Sequence, residues 1–126
     1  MKVFDKEYDP VSRIEFIQNG KPFAETTVFL HGISSGADSW LKQIDYFSNS
    51  ASVLAWSAPG YGNSAQIEKE QPNALDYSKR LLALIESRNI ERINIVGHSL
   101  GALIAAAFAS EYPKKVNKLI LVNPAQ

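Results

Sequence analysis

The residues Gly97-His98-Ser99-Leu100-Gly101 set one hydroxyl between glycines two positions before it and two after. The chain contains no cysteine, which removes a thiolate and leaves Ser99 as the candidate nucleophile. The chemistry open to it is attack on an acyl carbonyl, which near neutral pH needs a histidine to take the proton and an acid to orient that histidine. A tight turn from strand to helix forces its central residue into a strained backbone conformation, and flanking glycines let neighbouring backbone approach without a Cβ clash. Such a turn raises the hydroxyl above the sheet and sets the first N–H groups of the helix beside a developing oxyanion. The same five residues also fit an ordinary strand-to-helix turn with a capping serine.

A second segment, His31-Gly32-Ile33-Ser34-Ser35-Gly36, follows an apolar run and precedes a helical pattern. This is where the other half of an oxyanion hole is expected. A tight fold at Gly32 would aim the amide of Ile33, or that of Ser34, at the oxygen faced by the amide of Leu100. Each such donor is worth about 3 kcal/mol of transition-state stabilisation. A plain strand-to-helix loop is the alternative. Other glycine motifs fit worse: a dinucleotide fingerprint needs glycine where Ser99 stands and an acid about twenty residues on, and the Gly-Lys-Ser/Thr of a phosphate loop is absent.

The general base is harder to place. Only His31 and His98 are available, and both precede Ser99. His98 adjoins the nucleophile, so its side chain is expected to leave the turn in another direction and to serve packing or hydrogen bonding. The one acid after Ser99 is Glu111, three turns down the following helix and far from the turn.

The elements that must hold these residues follow from the apolar pattern. Arg13 to Gln18 and Thr26 to Leu30 predict strands flanking a turn at Asn19-Gly20-Lys21-Pro22. Trp40, Leu41, Ile44 and Phe47 recur at helical spacing; Ala51 to Trp56 predicts a strand, and Pro59-Gly60-Tyr61-Gly62 a bend behind it. Asn73, with Asp76 three residues on, marks a helix start whose apolar face holds Leu75, Ser78, Leu82 and Ile85. Ile93 to Val96 predicts a buried strand, Leu100 to Tyr112 an alanine-rich helix closed by Pro113, and Lys118 to Val122 a final strand. Apolar strands alternating with helices predict an α/β fold: a mainly parallel sheet with helices on both faces and an N-terminal antiparallel hairpin, in one domain over residues 1–126.

Composition narrows the partners. Of 126 residues 45% are apolar, enough for a core, and 13 basic side chains balance 13 acidic ones without clustering, which argues against nucleic acid or an anionic membrane surface. The charged N-terminus suits no signal peptide, and no apolar run reaches the ~18 residues of a membrane span. A soluble, cytoplasmic protein is the expectation. Two histidines in separate loops, with no carboxylate at ligand spacing, predict no metal site, and acyl transfer to serine calls for no organic cofactor.

Taken together, the motifs resemble the α/β-hydrolase superfamily. Thr27-Val28-Phe29-Leu30-His31-Gly32 is similar to that family's third strand and oxyanion loop, and Trp40 to the aromatic residue often found early in its first helix. Ala58-Pro59-Gly60-Tyr61-Gly62-Asn63-Ser64 is similar to its signature after strand 4, and Ile95 to Gly101 to its nucleophile elbow. The resemblance is closest to the serine esterase, lactonase and carbon–carbon-bond hydrolase branch. It implies a hydrolase for an ester, lactone, thioester or activated C–C bond, with a small-molecule acyl substrate. Ser99 would be its nucleophile, the amides of Ile33 and Leu100 its oxyanion donors, and His31, Gly32, Gly97, His98 and Gly101 its supporting residues. A non-catalytic scaffold on the same fold is the alternative. Family members run to about twice this length and carry their acid and histidine after the elbow. The resemblance therefore implies the N-terminal half of the fold, ending after strand 6, inactive alone, and prone to self-association through an uncovered Leu119–Val122 edge.

Overall fold

The computed structural model describes residues 4–21 and 25–123. Six strands form one mixed sheet in the order β1-β2-β4-β3-β5-β6. The strands are β1 (Glu7–Asp9), β2 (Ile14–Gly20), β3 (Thr26–Leu30), β4 (Ser52–Trp56), β5 (Ile93–His98) and β6 (Val116–Val122). The helices are α1 (Leu41–Phe47), entered through a 3-10 turn at Ala37–Trp40, α2 (Ala74–Ser87) and α3 (Leu100–Glu111). β4, β3, β5 and β6 run parallel, while β2 is antiparallel to both β1 and β4.

Alternation along the central strands divides the core into two layers. Val28, Leu30, Leu54, Trp56, Ile93 and Ile95 face α2 and α3, where Leu81, Leu84, Ile85, Ile104 and Phe108 meet them. Phe29, Val53 and Ala55 face the other way and pack under Ile44 of α1, with Trp40 at the margin. Helices thus cover both faces, as the pattern predicts.

α2 begins where Asn73 and Asp76 place it: the Asn73 side chain accepts from the Asp76 amide at 3.0 Å, and the Asp76 carboxylate accepts from the Asn73 amide at 2.8 Å. Its buried stripe is Ser78, Leu81, Leu84 and Ile85, with Leu75 and Leu82 only partly covered at its rim.

The N-terminal hairpin is real but uses other residues than the Asn-Gly signal suggests. β2 does not turn back on β3, because β4 lies between them. Gly20 continues the ladder opposite Ser52 at φ +105, so close that a Cβ there would fall 1.9 Å from the Ala51 carbonyl oxygen, and the Lys21 amide also donates to Ala51. Pro22 lies outside the described residues. A strand as apolar as β3 buries both faces best between parallel neighbours, and β4 and β5 supply them. The hairpin joins β1 to β2 through a turn in which Arg13 adopts φ +62 and Asp9 accepts from both the amide and the hydroxyl of Ser12. Three residues, two of them acidic, carry too little pattern to announce β1.

Candidate active site

The parallel strands end at one rim of the sheet, and the candidate residues gather there on the loops after β3, β4 and β5. Ser99 is the hinge between β5 and α3, at φ 57 and ψ −116. Its amide donates to the carbonyl of Val122 at 3.1 Å, while its own carbonyl accepts from Ala102 at 2.9 Å. Ser99 occupies the N-cap position of α3, yet its hydroxyl makes no capping bond. The capping alternative therefore does not describe this serine, which contrasts with Asn73 on α2.

The glycines explain how the turn closes. A Cβ on Gly101 would lie 2.2 Å from the carbonyl oxygen of Leu30, and one on Gly97 would lie 2.2 Å from the carbonyl oxygen of Gly101. The first turn of α3 can therefore fold back on β5 and press against the end of β3 only without these side chains. Leu100 opens the helix, where N–H groups have no partner inside it and the dipole is positive.

The loop after β3 meets the elbow directly. A Cβ on Gly32 would stand 3.1 Å from the Ser99 Cβ and 3.1 Å from the His98 Nδ1. Ile33 follows, with its side chain 65% exposed, and Ser34 turns the chain at φ 63. Gly32 is thus brought against Ser99, and Ile33 and Leu100 are their next neighbours along the chain.

His31 is buried beneath them. Its Nδ1 lies 2.8 Å from the Gly32 carbonyl and therefore carries the proton, which leaves Nε2 to accept from the Ala58 amide at 2.9 Å. The edge of the ring meets Tyr61 at a centroid distance of 4.9 Å. Burial pushes the imidazole pKa below its usual 6.5, against the smaller opposing pull of the Gly32 carbonyl and Asp38. Both nitrogens are occupied, so His31 shapes the loop and has no lone pair free for Ser99.

His98 is exposed and lines a cleft of about 450 Å³ with Gly32, Ser35, Trp40, Gln43 and Val122. Trp40 borders that cleft but packs on Phe29 at 4.9 Å, in keeping with a core role. Glu111 is exposed at the far end of α3, roughly 16 Å along the axis from the elbow. Among the described residues, no three His, Asp or Glu side chains converge to hold a metal ion. A larger depression of about 660 Å³ opens at the opposite end of the sheet, near Thr26, Ser52 and Arg88, away from this chemistry.

Glu15 and Ser57 stand outside the motifs legible in the sequence, and Asn63 enters them only within Ala58–Ser64. They meet under the loop after β4, where the buried Glu15 carboxylate accepts from the buried Ser57 hydroxyl at 2.7 Å and from the side chain of the exposed Asn63 at 3.0 Å. The available signal was an acid inside the apolar run Ile14-Glu15-Phe16-Ile17.

Residues 26–126 match the profile of a family described as alpha/beta hydrolase fold. A 2-hydroxy-6-oxononadienedioate/2-hydroxy-6-oxononatrienedioate hydrolase of Paraburkholderia phymatum is 35% identical over 103 residues, covering 79% of this chain and 36% of that protein. Among solved structures, a marine microorganism esterase is 28% identical, with a TM-score of 0.80 over 86% of this chain and 41% of its own. A membrane phospholipase A described as a bacterial virulence factor shares the fold at a TM-score of 0.89 and 23% identity, over 97% of this chain and 40% of its own. The chain spans well under half the length of these relatives. No helix among the described residues is long and apolar enough to cross a membrane.

Proposed function

The chain belongs to the α/β-hydrolase fold family, and on that premise we propose that it carries the nucleophile side of a serine hydrolase active site. Ser99 attacks an acyl carbonyl, the amides of Leu100 and Ile33 hold the resulting oxyanion, and water later releases the acyl group from the serine. The observation that carries this reading is Ser99 itself, held at φ 57 with its hydroxyl free of the helix end it caps by position, and with Gly32 pressed against its Cβ. A strained residue at a helix start needs a reason to persist, and presenting a nucleophile beside unpaired N–H groups supplies one.

His31 is consumed by the loop, His98 sits on the elbow itself next to Ser99, and Glu111 is remote, so this reading assigns the base and acid to later residues of a protein of the relatives' length. The substrate is a small ester, thioester, lactone or activated carbon–carbon bond, in line with the hydrolase and esterase names of the relatives. Alone, residues 1–126 turn over little or nothing, since catalysis without a base falls by several orders of magnitude.

A fluorophosphonate probe tests the assignment on a chain extended to full length. Labelling that vanishes in Ser99→Ala supports it. An intact, folded full-length protein that takes no label would instead be a scaffold on this fold.

A further inference from the structure

Glu15 is a buried ionisable group that this mechanism leaves unused. It lies in β2 only 3% exposed and forms no ion pair among the described residues. A buried carboxylate without a counter-ion must be held by hydrogen bonds to be tolerated. Here Oε2 accepts from the Ser57 hydroxyl and Oε1 from the Asn63 amide. The Glu15 backbone adds two bonds to the same loop, its amide donating to the Ser64 hydroxyl at 2.8 Å and its carbonyl accepting from the Ser57 amide at 2.8 Å. Gly62, at φ +51, passes so near that a Cβ would fall 2.1 Å from Oε2. Residues 57–64 are therefore folded around this one side chain.

The far side of that loop holds the segment that meets Ser99. The Ala58 amide donates to His31, and the Ser57 oxygen accepts from the amide of Ala37 at 3.3 Å. His31 and Ala37 are the two ends of the loop that carries Gly32 and Ile33. A serine hydroxyl has a single proton, and an ionised carboxylate can only accept. Facing Glu15, Ser57 must give its proton inward, which turns a lone pair toward Ala37. A side chain able to donate at position 15 would release that constraint, and the hydroxyl could reverse.

We infer that Glu15 is a positioning residue for the oxyanion loop: by fixing the direction of the Ser57 proton it clamps residues 31–37 against Ser99. The catalytic meaning rests on the function proposed above, whereas the clamp is a property of the chain itself.

Amide hydrogen exchange by NMR on the 126-residue chain separates the two. Glu15→Gln and Ser57→Ala should each speed exchange at Ala37 and at residues 32–36 by about 10-fold, the loss of roughly one hydrogen bond, with β5 and α3 amides little changed. Asn63→Ala also removes a bond to Glu15 but leaves Ser57 facing a carboxylate, and should leave Ala37 near its wild-type rate. A general weakening of the network would move Ala37 alike in all three variants, and that result overturns the proposal. So does wild-type exchange at Ala37 in Ser57→Ala, should Glu15→Gln not fold. If the exchange pattern appears but full-length protein takes no fluorophosphonate, the clamp stands and the nucleophile assignment falls.

Discussion

The amide of Ser99 donates to the carbonyl of Val122 across 3.1 Å, joining the elbow to the end of the neighbouring strand. That bond, with the helix drawing on the Ser99 carbonyl, holds a side-chain-bearing residue at φ 57 and ψ −116. Conformations of this kind cost about 1–3 kcal/mol for a residue with a Cβ, against about 0.5–1 kcal/mol of extra chain entropy lost by glycine. Ser99→Gly should therefore be more stable than Ser99→Ala by about 1 kcal/mol in urea denaturation. Equal stabilities would mean that the turn stores no strain.

Gly101→Ala should have the opposite effect. Alanine is favoured in a helix interior by about 1 kcal/mol, but its Cβ would meet the carbonyl oxygens of Leu30 and His31 at 2.2 and 2.8 Å. Backbone cannot yield as a flexible side chain does, so the clash wins, and the loss should reach about 3 kcal/mol. A thermal midpoint at or above that of the wild type would show that α3 can move away from β3 cheaply.

Stability should depend on pH through His31. Burial lowers its folded pKa below the 6.5 of the unfolded chain, so the unfolded state binds more protons as the medium acidifies. The contribution is complete above about pH 6.5 and is lost as pH falls toward the folded value, where a second N–H would face the Ala58 amide. Denaturant midpoints should fall between pH 7.5 and 5.5, and the His31 ring signals should titrate below 6.5 by NMR. Titration at or above 6.5 would contradict the buried, doubly bonded ring.

At the sheet edge, Leu119, Ile120, Leu121 and Val122 are between 39% and 51% exposed, with neither proline nor charge among them. Such an edge is a template for another strand, and a chain of zero net charge does little to keep copies apart. We propose that copies of this chain associate through β6. Sedimentation velocity should show concentration-dependent association that Ile120→Lys weakens. A single monomer boundary at every concentration would count against it.

Local interactions were legible in the sequence because both partners lie within a few residues of each other. Asn73 and Asp76 announce their own capping box, and the glycines around Ser99 announce a turn where backbone must pass backbone. The apolar runs likewise mark the five longer strands, and in β3 and β4 burial on both faces leaves little room for polar alternation. Strand order was not legible in this way. The Asn-Gly signal is genuine chain-bending chemistry, yet whether Gly20 reverses the chain or extends a ladder depends on β4, whose residues lie thirty positions on.

The same distinction applies at the site. Sequence alone singled out Ser99 as the candidate nucleophile and showed that both of its histidines precede it. Only the tertiary structure decided what His31 does instead, because its partner Ala58 is 27 residues away. It also revealed Glu15, whose hydrogen bonds reach 42 and 48 residues along the chain. A buried acid is costly until its donors are assembled around it, and that assembly exists only once β2 and the loop after β4 have come together.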